Sequence, residues 1–246
     1  MTKLIKGELY RLTHTGHIFI YMVIASLFTL GIVILFNKDR FDMDAAYYSS
    51  LFAELGSAFQ PVVIGVLIPV AVSRLYSNKT GYYEVMDGTG PALAILSKLI
   101  VYSLTAVVVY IMPVVIFISI IGIANGTGEI DFPMFLLLYV VLTLRVTTAS
   151  VMFTMIIKNG AAGFLCYARY QIFELVGLPM IALVFPKTQD AVAEISKWLP
   201  MVQFSVLSNV EKFESEFVMN TLVGFAAETV LWFVLAYINY KNKRFA

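Results

Sequence analysis

Four ionisable residues fall inside strongly apolar stretches of this chain: Arg145, Arg169, Glu174 and Glu228. A charge held in a nonpolar medium is costly unless it is paired or hydrated. Such residues either pair and fix the register of neighbouring helices, or they line and gate a polar path. Asn159-Gly160 reads as a tight turn joining the stretches that carry Arg145 and Glu174. Both residues lie roughly 21–23 Å from that turn at about 1.5 Å of helix rise per residue. Matching depth on antiparallel neighbours predicts an Arg145–Glu174 pair. A second pair between Arg169 and Glu228 follows from their comparable levels.

Other chemistry is thin. No Gly-Lys dipeptide occurs, so the chain lacks a phosphate-binding loop of the Walker A type. Gly88-Thr89-Gly90 and Gly126-Thr127-Gly128 lack the third glycine of a dinucleotide fingerprint. His14 and His17 are the two histidines, with no carboxylate cluster beside them, and neither lies in the interior of an apolar stretch to activate a nucleophile. Cys166 is the one cysteine and reads as a small buried hydrophobe. The expectation is a protein with no catalytic residue, no metal site and no cofactor of its own.

The composition says where such charges must sit. Hydrophobic residues make up 60% of the 246 positions and charged residues 13%, about half the share in a soluble domain. Mean hydropathy is +0.84. The net charge of +1 provides no field for nucleic acid. These values point to an all-α polytopic membrane protein, with a single domain over residues 1–246.

A bilayer core needs about 20 apolar residues in a helix. Six stretches qualify: His17–Phe36, Leu51–Val72, Ser97–Ile123, Pro133–Ile157, Ala161–Phe185 and Val218–Tyr240. The first is too long for the apolar core of a signal peptide and has no small-x-small site after it, so it reads as a retained span. Lys and Arg set the orientation. A cytoplasmic amino terminus places Lys3, Lys6, Arg11, Arg74, Lys79, Lys98, Lys158, Lys241, Lys243 and Arg244 inside. It leaves Lys38, Arg40, Lys187, Lys197 and Lys212 outside. Both termini are therefore expected in the cytoplasm.

Three segments flank the spans. Residues 2–15 read as an amphipathic interfacial helix with Ile5, Leu9 and Leu12 on one stripe. Residues 73–96 form the longest cytoplasmic connection, where Tyr82, Tyr83 and Met86 stand beside charges. That mixture suits a contact surface, and equally an aromatic belt at the membrane interface. Residues 186–217 read as two short outer helices broken near Pro200. The aspartates of residues 37–50 lack the Gly and Glu of a calcium loop and read as solvated.

The order of these parts resembles the permease subunit of type-2 ATP-binding-cassette exporters, a group that includes small bacterial permeases for antimicrobial-peptide export or immunity. The likeness is carried by Asn78-Lys79-Thr80-Gly81-Tyr82-Tyr83-Glu84-Val85, by Gly88-Thr89-Gly90-Pro91, by Ile95-Leu96-Ser97-Lys98-Leu99-Ile100 and by Trp198-Leu199-Pro200. The acid usual before the glycine is replaced here by Ser77 or Asn78, and the arginine usual after the turn by Pro91-Ala92. The resemblance implies a coupling element that docks on a separate ATPase through Lys79, Tyr82, Tyr83, Glu84, Met86 and Asp87. It further implies ATP and Mg bound on that partner, a second permease copy (identical or not), and residence in the bacterial plasma membrane. The rival readings are an ion-coupled transporter or channel using the buried Arg and Glu residues, and a non-transporting scaffold or sensor.

Overall fold

The computed structural model describes residues 1–14, 18–36, 42–77, 89–209 and 213–242. Among the described residues every regular element is a helix. They are α1 (Thr2–His14), α2 (Ile18–Phe36), α3 (Ala45–Ser77), α4 (Pro91–Asn125), α5 (Phe132–Ile157), α6 (161–184), α7 (Gln189–Ser196), α8 (Pro200–Leu207) and α9 (Ser215–Asn242).

Four helices are long and apolar enough to cross a membrane: Ile18–Leu35, Pro91–Asn125, Phe132–Ile157 and Ser215–Lys241. The expected second stretch lies within the 33-residue α3, whose continuous described apolar part is the shorter Val63–Arg74. The expected fifth stretch is helical as α6. Its middle ten residues, Ala168–Gly177, wind as a π-helix, and they include Arg169, Gln171 and Glu174.

The centre of the bundle is α5. Within its apolar window 67% of residues are buried, against 22% for α2 and for α9. It packs on α3, α4, α8 and α9. A buried helix must satisfy its own polar groups. Here Thr143, Thr147, Ser150 and Thr154 each donate to the carbonyl four residues back, at 2.7–2.8 Å. Asp131 caps the amino end by accepting from the Met134 amide at 3.2 Å. The far end turns at Lys158, whose φ of 59° is left-handed. The turn expected at Asn159-Gly160 is present, but the unusual backbone angle falls on the lysine before it. Asn239 of α9 then donates to the Ile156 carbonyl at 2.6 Å.

Two local breaks have clear causes. Pro113 has no amide hydrogen to offer the carbonyl four residues earlier, that of Val109. The chain responds with a five-residue π segment, Val107–Ile111, and the hydroxyl of Ser26 on α2 donates to the Val109 oxygen. At the start of α6, Gly163 allows close approach to α3. A β-carbon there would lie 3.2 Å from the Val66 carbonyl oxygen.

The helix expected over residues 2–15 exists, but its stripe is different. Glu8 and Leu12 are buried, whereas Leu9 is 43% exposed. An ion pair causes the shift: the Glu8 carboxylate meets Lys98 Nζ of α4 at 2.9 Å and Arg11 at 2.6 Å. Asp44 acts as a helix cap, accepting from the Tyr47 amide at 3.0 Å. Among the described residues no cluster of three metal-binding side chains occurs.

Candidate functional site: a buried charge cluster

The four charges singled out in the sequence meet in one place: the expected Arg169–Glu228 pair forms, and the expected Arg145–Glu174 pair does not. Arg145 of α5 does not pair with Glu174. Its Nε donates to Glu228 Oε2 of α9 at 2.6 Å, its Nη1 to Gln203 Oε1 at 3.0 Å, and its Nη2 to the Trp198 carbonyl at 2.7 Å. Arg169 of α6 takes the other oxygen of Glu228 and lies 3.5 Å from Glu174 Oε1. Glu174 also accepts from the Met201 amide at 3.2 Å.

The π segment explains why Arg169 and Glu174 are neighbours. Five residues of α-helix would turn them about 140° apart. A π-helix closes its hydrogen bonds between residues five apart, which brings positions 169 and 174 onto one face. Depth counted along a uniform α-helix therefore misjudged the partners of Arg145 and Glu174.

The interruption between α7 and α8 supplies the remaining partners. Pro200 begins α8, so the amides of its first turn have no partner within the helix. One of them, Met201 N–H, meets the Glu174 carboxylate, a favourable place for a negative charge. The same interruption leaves the Trp198 carbonyl free for Arg145. Gln203 completes the frame, its Nε2 donating to the Lys197 carbonyl at 2.8 Å. The residues missed from the sequence were thus Gln203, Trp198 and Met201. The proline after Trp198-Leu199 was the one available signal for them.

Arg145, Glu174 and Glu228 are nearly sealed from solvent, with 6%, 1% and 9% of their side chains exposed. Arg169 keeps 31% exposed. Its guanidinium carbon stands 4.9 Å from the Tyr170 ring centre and 5.7 Å from that of Trp232. The Trp232 indole in turn donates to Glu228 Oε1 at 3.1 Å. Beside the cluster lies an open groove of about 440 Å³. Its charged lining is Arg145, Arg169 and Glu228, and its apolar walls include Ile195, Trp198, Leu199, Leu231 and Trp232.

Beyond α7, Lys197 joins Glu194 at 2.9 Å and Glu216 at 3.3 Å. The hydrogen bonds its ammonium donates to these two carboxylates raise its pKa above the ordinary lysine value.

The coupling residues expected from the sequence, Lys79, Tyr82, Tyr83, Glu84, Met86 and Asp87, lie outside the described residues. The segment containing them is flanked by the end of α3 and the start of α4. Lys98, read from the sequence as a cytoplasmic charge and as part of the Ile95–Ile100 motif, is 1% exposed and belongs to the Glu8 pair.

No protein-family model matches the chain, and no curated protein matches it.

Proposed function

We propose that the chain is the transmembrane subunit of an ATP-driven exporter, one that carries no nucleotide site and takes its motion from a separate ATPase. The reading has six spans and both termini in the cytoplasm of a bacterial plasma membrane. Residues 186–217 lie on the outer side, and a second permease copy forms the other half of the path. ATP and Mg bind on the partner. The substrate is apolar or amphipathic, an antimicrobial peptide being one such molecule.

The observation that carries this reading is the junction after the tyrosine-bearing segment. Helix α4 starts at Pro91, directly beyond it, and is tied to α1 by the buried Glu8–Lys98 pair. A push on residues 78–88 would therefore reach α4 and α1 together and could tilt them as a unit. The long apolar helices and the absence of a Walker A sequence support a division of labour between membrane and motor subunits.

The test is affinity purification from the native membrane. The expected result is a co-purifying ATPase that is lost when Tyr82→Ala/Tyr83→Ala is introduced. Normal retention of the ATPase by that variant overturns the docking assignment.

A second reading, an ion-coupled transporter or channel, is favoured by one observation: two arginines and two glutamates packed together among apolar helices. It requires solute flux driven by an ion gradient in liposomes holding this chain alone. The exporter reading requires those liposomes to be inert.

A further inference from the structure

Against the π segment of α4 lies a small cavity between α2, α3, α4 and α5. Its apolar walls include Leu30, Phe52 and Val114. Four hydroxyl-bearing side chains also border it: Ser26, Thr29, Tyr110 and Tyr139. Tyr139 packs its ring on Phe135 and Phe204.

The protons of the other three hydroxyls are unevenly spent. Ser26 donates to the Val109 carbonyl, the one that Pro113 leaves without an amide. Thr29 donates to the Ala25 carbonyl at 2.9 Å. A hydroxyl has one proton, so any further hydrogen bond at Ser26 or Thr29 must be accepted. Tyr110 is in the opposite condition. It is 7% exposed, and its hydroxyl has no protein partner among the described residues. A buried donor left in that state is destabilising. One unused donor thus shares the cavity with two groups that can only accept.

Size and chemistry select the occupant. The cavity offers about 30 Å³, and a water molecule needs roughly 10–15 Å³ with two to four polar partners. An aromatic solute needs a cavity on the order of 150 Å³. A bare cation would meet neutral oxygens alone, and an anion a single donor. Water brings two protons and two lone pairs, which is what one donor and two acceptors require.

We propose that one ordered water occupies this cavity, accepting from Tyr110 and donating to Ser26 and Thr29. Two successive residues of the π segment are thereby fastened to α2. Val109 is held by Ser26 directly, and Tyr110 is held through the water. The water is then part of the proline break in α4, and neither the charge cluster nor the ATPase enters the assignment.

An experimental density map of the full chain, sharp enough to show ordered water, tests this directly. The expected result is one isolated peak about 3 Å from the hydroxyl oxygens of Tyr110, Ser26 and Thr29. An empty cavity overturns the proposal, and so does the continuous density of a lipid or detergent tail. Stability provides a second test through its sign. Tyr110→Phe removes the hydroxyl and keeps the ring. The thermal midpoint in detergent is expected to fall by about 2–4 °C, the loss of one hydrogen bond in a chain of this size. An unchanged or raised midpoint overturns the proposal, because deleting an unpartnered buried hydroxyl should cost nothing. Tyr110 and Thr29 share no direct hydrogen bond, so the water is what couples them. Thr29→Val is expected to lower the midpoint too, and the double variant to lose less than the sum of the single losses. Strictly additive losses overturn the shared water.

Discussion

Gly224 of α9 faces the guanidinium of Arg145 so closely that a β-carbon there would lie 2.8 Å from Nη1 and 3.2 Å from Cζ. The absence of a side chain at one position on α9 is what lets an arginine on α5 reach Glu228, one helical turn further along α9. The arginine is the rigid party in this contact, because three hydrogen bonds hold it in place.

Gly224→Ala is therefore expected to destabilise the protein. Alanine normally improves a helix interior by about 1 kcal/mol over glycine. Here overpacking of a fixed group should cost about 1–3 kcal/mol and reverse the sign. Gly31→Ala on α2, where nothing lies within 4 Å of the added carbon, is the control and should be neutral or stabilising. Thermal unfolding of both variants in detergent measures the difference.

The two glutamates of the cluster should not be equivalent. Glu228 bridges both arginines, so Glu228→Gln leaves the buried Arg145 and the half-buried Arg169 short of a partner. Loss of one member of a buried pair costs about 3–5 kcal/mol. Glu174→Gln should cost clearly less. Its nearest cation is 3.5 Å away, and an amide oxygen can still accept from Met201 N–H. Denaturant midpoints of the two variants should rank in that order. A larger loss from Glu174→Gln would contradict the assigned pairing.

Helix α1 should come loose when its ion pair is broken. Glu8→Gln leaves Lys98, 1% exposed, without its carboxylate. Trypsin should then cut faster at Lys3, Lys6 and Arg11. Replacing the pair by Glu8→Leu with Lys98→Met should recover much of the protection, since a buried ion pair can be exchanged for well-packed apolar side chains at little cost.

Ser26→Ala should expose the penalty left by Pro113. Without the hydroxyl, the Val109 carbonyl loses its described donor, and an unsatisfied buried acceptor costs about 1–3 kcal/mol. Pairing Ser26→Ala with Pro113→Ala, which restores an amide donor in the same helix, should yield a smaller loss than the serine change alone. A double-variant cycle in detergent checks this.

Lys197 provides the contrasting case. Its two carboxylate partners are mostly exposed, so Lys197→Ala should shift the unfolding midpoint little, and salt should shrink even that effect. Its raised pKa has a definite sign. The pair contributes below the ordinary lysine pKa and is lost only as pH rises through the higher folded value, so between pH 5 and 9 the contribution should be flat.

The all-helical class and the long apolar helices α2, α4, α5 and α9 were legible in the sequence, because a run of about 20 apolar residues has few alternatives to helix. The four misplaced charges were equally legible, since each interrupts such a run. The Arg169–Glu228 pair was legible too, but the rest of the pairing was not. It depended on a π segment that moves Arg169 and Glu174 onto one face, and helix winding is decided by what the surrounding elements require. It depended also on Gly224 making room and on the broken chain before Pro200 supplying a carbonyl and an amide. Residues far apart in the sequence, such as Glu8 and Lys98, announced nothing of their meeting. Local composition determined what each segment had to become. Which polar groups were left over, and which neighbours could satisfy them, was settled only when the helices packed.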